Sequence, residues 1–121
     1  MNAKKTLVIG ASTNTERYSY MATNRLLDAG HDVVLIGNRM GSIRENLIHT
    51  NAIEIDNLDT ITLYLNPKNQ EKYYDYIISL KPKRIIFNPG TENIVLEEIA
   101  HKNGIQTMEA CTLVMLSTGQ Y

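Results

Sequence analysis

Thr6-Leu7-Val8-Ile9-Gly10, then Ala22, Leu26, Leu27 and Ala29 running up to Gly30, then Asp32-Val33-Val34-Leu35-Ile36-Gly37: these three pieces decide the fold. The first and third are short apolar runs rich in β-branched residues, each stopped by glycine, which is the pattern of strands buried on both faces. Between them, polar residues fill Ser12 to Arg17, and apolar ones then recur at helical spacing until Gly30, a residue suited to the left-handed position after a helix. The connection is too long for a hairpin and the right length for a parallel crossover. The chain up to Gly37 therefore reads as βαβ.

The alternation continues downstream. A polar stretch covers Asn38 to Thr50, Ile53 and Ile55 mark a short strand or turn, and Thr60 to Leu65 is a clearer strand. Asn66-Pro67 is a helix start, since Asn accepts from free amides and Pro stands at the first helical position, where its missing donor costs nothing. Tyr73, Tyr76, Ile77 and Leu80 then repeat at i, i+3, i+4 and i+7, and Pro82 ends the helix. Arg84-Ile85-Ile86-Phe87 is a further strand and Asn88-Pro89-Gly90 a turn. Thr91 is a candidate cap for a helix through Ile94, Val95, Leu96, Ile99 and Ala100 to Gly104. Ile105 to Glu109 closes the sheet, and Ala110 to Leu116 is a candidate last short helix. The expectation is a Rossmann-like, doubly wound α/β fold with about five mainly parallel strands and helices on both faces.

With 121 residues and no Gly/Ser/Pro-rich linker, the reading is one domain over 1–121. Hydrophobic residues at 43% and charged residues at 21% are ordinary globular values and exclude disordered or low-complexity polymers. Residues 1–50 carry a balance of +2 and residues 51–121 one of −3, giving the net −1. That permits a small anionic ligand near the N-terminal half and falls far short of the basic field that duplex nucleic acid requires. The single cysteine, Cys111, excludes an intrachain disulfide, and no Cys/His cluster has zinc spacing. No stretch approaches 18 consecutive apolar residues, and the apolar run at Leu7–Ala11 is too brief for a signal sequence. A soluble, cytoplasmic protein without a membrane or nucleic acid partner is expected.

In doubly wound sheets, ligands bind beyond the carboxyl ends of the strands, where strand order reverses. Those ends are Gly10-Ala11-Ser12-Thr13-Asn14, Gly37-Asn38-Arg39, Asn66-Pro67 and Asn88-Pro89-Gly90, rich in small residues and amides. Gly10 lets the backbone turn, while Ser12, Thr13 and the following helix N-terminus offer hydroxyls and free N–H groups to a phosphate or pyrophosphate. The loop is not a G-x-G-x-x-G dinucleotide fingerprint, because Ser12 and Thr15 stand where glycines are needed; a Gly that merely ends a strand is the alternative. After the second strand, NAD-type sites place an acid for the ribose diol; Asn38 and Arg39 stand here instead. A guanidinium suits a phosphorylated ribose, as in NADP or the 3′-phospho-ADP part of coenzyme A, and a solvated loop Arg is the bland alternative.

Val8-Ile9-Gly10-Ala11-Ser12, Arg17-Tyr18-Ser19, Leu26-Leu27-Asp28-Ala29-Gly30-His31-Asp32-Val33 and Asn38-Arg39 together resemble the small stand-alone CoA-binding protein family. Its nucleotide domain is similar to that of the succinyl-CoA synthetase alpha subunit. Asn88-Pro89-Gly90-Thr91-Glu92-Asn93 and Gly104-Ile105 to Cys111 also look like its later landmarks, so the resemblance spans nearly the whole chain. By it, Gly10, Ala11 and Ser12 hold the pyrophosphate, Arg17 approaches phosphate, Asn38 and Arg39 sit beside the phosphorylated ribose, and Asn66 and Pro67 flank the adenine. Thr13, Tyr18 and Gly90 complete the candidate binding set. The family has Asn-Pro-basic after the second strand, whereas Gly37-Asn38-Arg39-Met40 lacks the proline, and Gly41 to Asp59 is reduced and irregular.

No catalytic pairing is visible among Cys111, His31, His49 and His101. His31 and His101 read as favourable charges at helix C-termini, and Cys111 as a small buried hydrophobe or a residue at the crevice edge. Tyr73, Tyr74 and Tyr76 read as packing residues, while Tyr18 and Tyr20 could cover a ligand, Tyr20 alternatively facing the core. The leading expectation is a non-catalytic module that binds coenzyme A or an acyl-CoA, as sensor, carrier or partner of a CoA-using enzyme. The alternatives are an NADP-linked oxidoreductase completed by homo-oligomerisation, and an interaction protein that kept the fold and lost its ligand.

Overall fold

The computed structural model describes residues 3–121. Its elements in chain order are β1 (Thr6–Ile9), α1 (Tyr18–Asp28), β2 (Val33–Ile36), β3 (Gly41–Ile43), β4 (Asn46–His49), β5 (Thr60–Leu63), α2 (Pro67–Gln70), a 3-10 turn (Glu71–Tyr73), α3 (Tyr74–Leu80), β6 (Arg84–Phe87), α4 (Ile94–Lys102), β7 (Gln106–Glu109) and α5 (Thr112–Ser117). One seven-stranded sheet runs in the order β3-β4-β2-β1-β5-β6-β7, parallel throughout except for the β3–β4 pair. The fold is doubly wound α/β, as the alternation predicts. The sheet is larger than five strands because the polar stretch after Gly37 folds into the β3–β4 hairpin, whose second strand pairs with β2.

Strand alternation divides the core in two. Leu7 and Ile9, Ile61 and Leu63, Ile85 and Phe87 face α3 and α4, where Ile77, Leu96 and Ala100 meet them. Val8, Leu35 and Ile86 face the other side, against Leu26 of α1 and Met115 of α5. Burying a side chain of this size is worth about 1.5–3 kcal/mol, so short strands suffice when nearly every residue in them is enclosed. β5 is the exception in composition: its residues facing α1 and α5 are Thr60 and Thr62, both fully buried. Their hydroxyls are satisfied across the sheet. Arg84 Nε donates to Thr60 Oγ1 at 2.7 Å, and Asn88 Nδ2 donates to Thr62 Oγ1 at 2.6 Å.

Several local expectations are refined. The helix read from Asn66 to Leu80 is two short helices joined by the 3-10 turn, and it ends with Lys81 in the left-handed conformation before Pro82. The cap of α4 is Asn93, whose Oδ1 accepts from the amides of Val95 and Leu96, whereas Thr91 is buried and donates its hydroxyl to the Asn88 carbonyl at 2.8 Å. His31 is not an end-of-helix cation. It is buried, its Nδ1 accepts from the Lys4 amide at 2.9 Å, and its ring lies 4.9 Å from that of Tyr121. An accepting Nδ1 requires the neutral ring. Burial, with Lys4 and Arg84 adding positive charge nearby, holds its pKa below the ordinary value. His101 does lie in the last turn of α4, with Nε2 2.8 Å from Thr107 Oγ1. Among the described residues no helix is long and apolar enough to cross a membrane.

Candidate functional site

β1 occupies the middle of the sheet, with β2 on one side and β5 on the other. The chain leaves β1 through α1 on one face and leaves β5 through α2 and α3 on the opposite face, so the loops above β1 and β5 part. A cleft of about 490 Å³ opens there, a size typical of small-molecule sites. Gly10, Ala11, Ser12, Thr13, Arg17, Asn38 and Arg39 line it, as does Asn14, together with Tyr64 and Leu65 from the end of β5.

Two glycines give the cleft its shape. Gly10 adopts φ +98°, a conformation other residues rarely take, and a Cβ there would sit 3.0 Å from the Tyr64 carbonyl carbon. That turn lets both Gly10 and Ala11 donate to the Ile36 carbonyl, at 2.9 Å each. Gly37 needs close approach rather than an unusual φ: a Cβ would lie 2.3 Å from the Ala11 carbonyl oxygen. The loop carrying Asn38 and Arg39 is thereby pressed against the loop carrying Ser12 and Thr13.

The Ser12–Arg17 loop is shaped by its own bonds. Asn14 N donates to Ser12 Oγ, Glu16 N donates to Asn14 Oδ1, and Arg17 N donates to the Asn14 carbonyl, all near 3.0 Å. Among the described residues the amides of Ser12 and Thr13 have no hydrogen-bond partner. The N-cap of α1, Arg17, makes no side-chain cap, and no acidic residue stands in the first turn. Within the helix, therefore, no acid offsets the positive end of its dipole, the nearest in sequence being Glu16 just before the cap. Neither Arg17 nor Arg39 has a hydrogen-bond or ion-pair partner for its guanidinium among the described residues. Free amides, an uncapped helix start and two free guanidiniums around one cleft form a donor set with no acid in it, matched to a ligand carrying several phosphate groups.

Four residues of the candidate set lie outside this lining. Tyr18 is 69% exposed on the first turn of α1. Asn66 Oδ1 accepts from the Asn69 amide at 2.9 Å and Pro67 opens α2, so both serve the helix start. Gly90 turns the chain after β6 at φ +92°, and its amide donates to Glu92 Oε1. Tyr20 packs against the core instead of covering the cleft, and Cys111 is half-buried at the N-cap of α5, also outside the lining. Asn14, named with its strand end in the sequence, joins the binding set through this lining, and Tyr64 and Leu65 are the lining residues with no sequence signal. Tyr64 and Leu65 were hidden inside a strand read as Thr60 to Leu65; β5 in fact ends at Leu63, and the pair forms the loop before the Asn66 cap. The Tyr64 hydroxyl is buried without a hydrogen-bond partner near those of Thr62 and Thr112, and burial pushes its pKa well up.

Residues 4–117 match the family model of the CoA binding domain. The chain belongs to that CoA-binding family. Among curated proteins none matches it. A crystal structure of an uncharacterized protein shares 50% identity with this CoA-binding chain over the full length of both, with a TM-score of 0.97. A hypothetical protein from Pyrococcus horikoshii OT3 is 22% identical, covering 97% of this chain and 84% of its own, with a TM-score of 0.88. A dinucleotide-forming acetyl-coenzyme A synthetase 1 from Ca. Korarchaeum cryptofilum, solved with phosphate and ADP, is 17% identical. It matches 89% of this chain through 26% of its own length, at a TM-score of 0.71. The last two likenesses show the fold alone.

Proposed function

We propose that residues 1–121 form a single domain that binds coenzyme A or an acyl-CoA in the β1/β5 cleft, through the pyrophosphate and the 3′-phosphorylated ribose, without chemistry of its own. The observation that carries this reading is the pairing of two unsatisfied guanidiniums, Arg17 and Arg39, with two unsatisfied amides, Ser12 and Thr13, in one cleft. Membership of the CoA-binding family supports the choice of ligand. In this reading Gly10, Ala11, Ser12 and Thr13 seat the pyrophosphate, Arg17 approaches phosphate, and Asn38 and Arg39 receive the 3′-phosphate. Asn66, Pro67, Gly90 and Tyr18 lie outside the lining, and in this reading Asn66 and Pro67 flank the adenine. A cytoplasmic module that hands its ligand to a CoA-using enzyme, or acts as a homo-oligomer, fits a cleft that carries phosphate donors and no nucleophile paired with a base.

Thermal unfolding with CoA, dephospho-CoA, acetyl-CoA, NADPH and NAD tests the reading, because a ligand that binds only the native state must raise the midpoint. CoA and acetyl-CoA are expected to raise it most, dephospho-CoA less, NAD least. Arg39→Ala should weaken CoA binding by about 1.5–3 kcal/mol, the worth of hydrogen bonds to a charged group. Equal affinity for CoA and dephospho-CoA would remove the 3′-phosphate from Arg39 and Arg17. A larger shift with NADPH than with CoA would replace the ligand altogether.

A further inference from the structure

Behind the Tyr64–Leu65 wall of the cleft lies a buried amide chain that touches no ligand position. Gln70, the last residue of α2, is fully buried and uses both hydrogens of Nε2: one donates to the Leu65 carbonyl and one to the Thr91 carbonyl, each at 2.8 Å. Its Oε1 accepts from Asn93 Nδ2 at 2.9 Å, and the second hydrogen of that Nδ2 goes to Tyr74 Oη at 2.8 Å. Asn93 Oδ1 caps α4. Each amide is fixed in orientation by its neighbours, since an oxygen in place of Gln70 Nε2 would face two carbonyls. Thr91 in turn is tied by its amide and hydroxyl to the carbonyl of Asn88.

We infer that Gln70 is a positioning residue that fixes the Tyr64–Leu65 wall, and through it the preference of the cleft for an adenine nucleotide over a bare pyrophosphate. The inference rests on the CoA reading above. The wall is the one part of the lining contributed by β5's end; the free amides and guanidiniums that serve phosphate all come from the β1 and β2 ends. From the end of α2, the Gln70 side chain reaches back to the carbonyl of the lining residue Leu65, and the same group grips the loop after β6. Asn88 Nδ2 ties the two strand ends themselves, donating to the Leu63 carbonyl at 2.9 Å, whereas the Gln70 amide ties the segments beyond them, and a low-dielectric surround makes loss of either of its bonds costly.

Gln70→Glu tests this with little change of shape. The carboxylate still accepts from Asn93 but offers the Leu65 and Thr91 carbonyls no donor. CoA affinity is expected to fall about tenfold while affinity for inorganic pyrophosphate stays within about twofold of the wild-type protein, since the amides and guanidiniums that would serve pyrophosphate come from the β1 and β2 ends, to which Gln70 makes no bond. Amide resonances of Tyr64 and Leu65 in the ligand-free variant should shift, those of Ser12 and Thr13 should not. Gln70→Met, which removes both donors without burying a charge, gives the same split if the glutamate prevents folding. Equal loss of CoA and pyrophosphate, or unchanged CoA binding, overturns the positioning role while leaving the CoA reading intact. A wild-type protein that binds pyrophosphate but not CoA overturns the CoA reading itself, and unmoved Tyr64 and Leu65 resonances then show separately that the wall does not depend on Gln70.

Discussion

Ala11 O and the Gly37 Cα sit so close that the 2.3 Å left for a Cβ admits no side chain at all. The obstacle is backbone, which cannot rotate aside, so Gly37→Ala must push the Asn38–Arg39 loop away from Ser12–Thr13. Overpacking of this kind costs about 1–3 kcal/mol, and here the displaced loop is also the one carrying Arg39. The expected outcome is a lowered Tm together with weaker CoA binding, read by thermal unfolding and by titration calorimetry. A variant that loses stability but binds CoA as before would show that the loop contact shapes the fold and not the cleft. At this scale the sequence was partly legible. Glycine at a strand end beside Ser, Thr and Arg marks a candidate ligand loop, and the structure gathers those residues into one lining. The sequence does not announce which glycine is needed for φ and which for approach, because both look the same as letters. Tyr64 and Leu65 were illegible for another reason: an aromatic and an aliphatic residue following Thr-Ile-Thr-Leu continue a strand pattern that only the parallel register to β1 cuts short at Leu63.

Element types follow the sequence periods while their bounds shift, as at Leu63 and in the split helix after Asn66, and Ile53 and Ile55 lie in neither strand nor turn. The element left unread is the β3–β4 hairpin, which lacks the usual signal. Its turn, between Ile43 and Asn46, holds Arg44 at φ 54° where glycine or asparagine is the expected residue. The compensation is tertiary: Arg44 Nη2 reaches Asp28 Oδ1 at 2.6 Å at the end of α1, a partner no local rule can supply. The same backbone tension occurs at the end of α3, without a compensating pair. Lys81 adopts φ 51°, ψ 52° directly before Pro82, and its side chain is exposed with no ion-pair partner among the described residues. The left-handed conformation costs an L-residue roughly 1–2 kcal/mol and costs glycine little, against which glycine has the more flexible unfolded chain. Lys81→Gly should therefore stabilise the protein by about 0.5–1 kcal/mol, a rise in Tm of roughly 2–4 °C. An unchanged or lowered Tm would mean that Lys81 supports the α3 terminus in a way its exposed position does not reveal.

Across the whole molecule the two ends of the sheet are built for different tasks. The carboxyl end leaves amide and guanidinium donors unpaired, while at the opposite end one buried aromatic side chain joins several strand starts. There Tyr121 is buried, its hydroxyl 2.6 Å from Thr6 Oγ1 and its ring 4.4 Å beneath the Arg84 guanidinium, with His31 beside it. The alternation in the sequence carries the doubly wound class, but not that a residue at position 121 packs against residues 4, 6, 31 and 84, since nothing local encodes that contact. Its consequence is a pH dependence. His31 is held neutral in the fold, chiefly by burial, with Lys4 and Arg84 also disfavouring a proton and Asp59 opposing them more weakly. Its folded pKa lies below the ordinary 6.5, so as pH drops past 6.5 the unfolded chain takes up a proton that the native ring still refuses. Stability is therefore full above 6.5 and declines as pH falls through the folded value, where native protonation would also break the bond from the Lys4 amide. Chemical denaturation between pH 7.5 and 5 should show this decline in the wild-type protein. His31→Asn, which keeps an acceptor near the Nδ1 position and does not titrate, should show a flatter profile. If the two profiles run parallel, the acid sensitivity of this end of the sheet belongs to other groups. CoA binding at the far end gives the complementary check, since its affinity in His31→Asn should match that of the wild-type protein at every pH across the range.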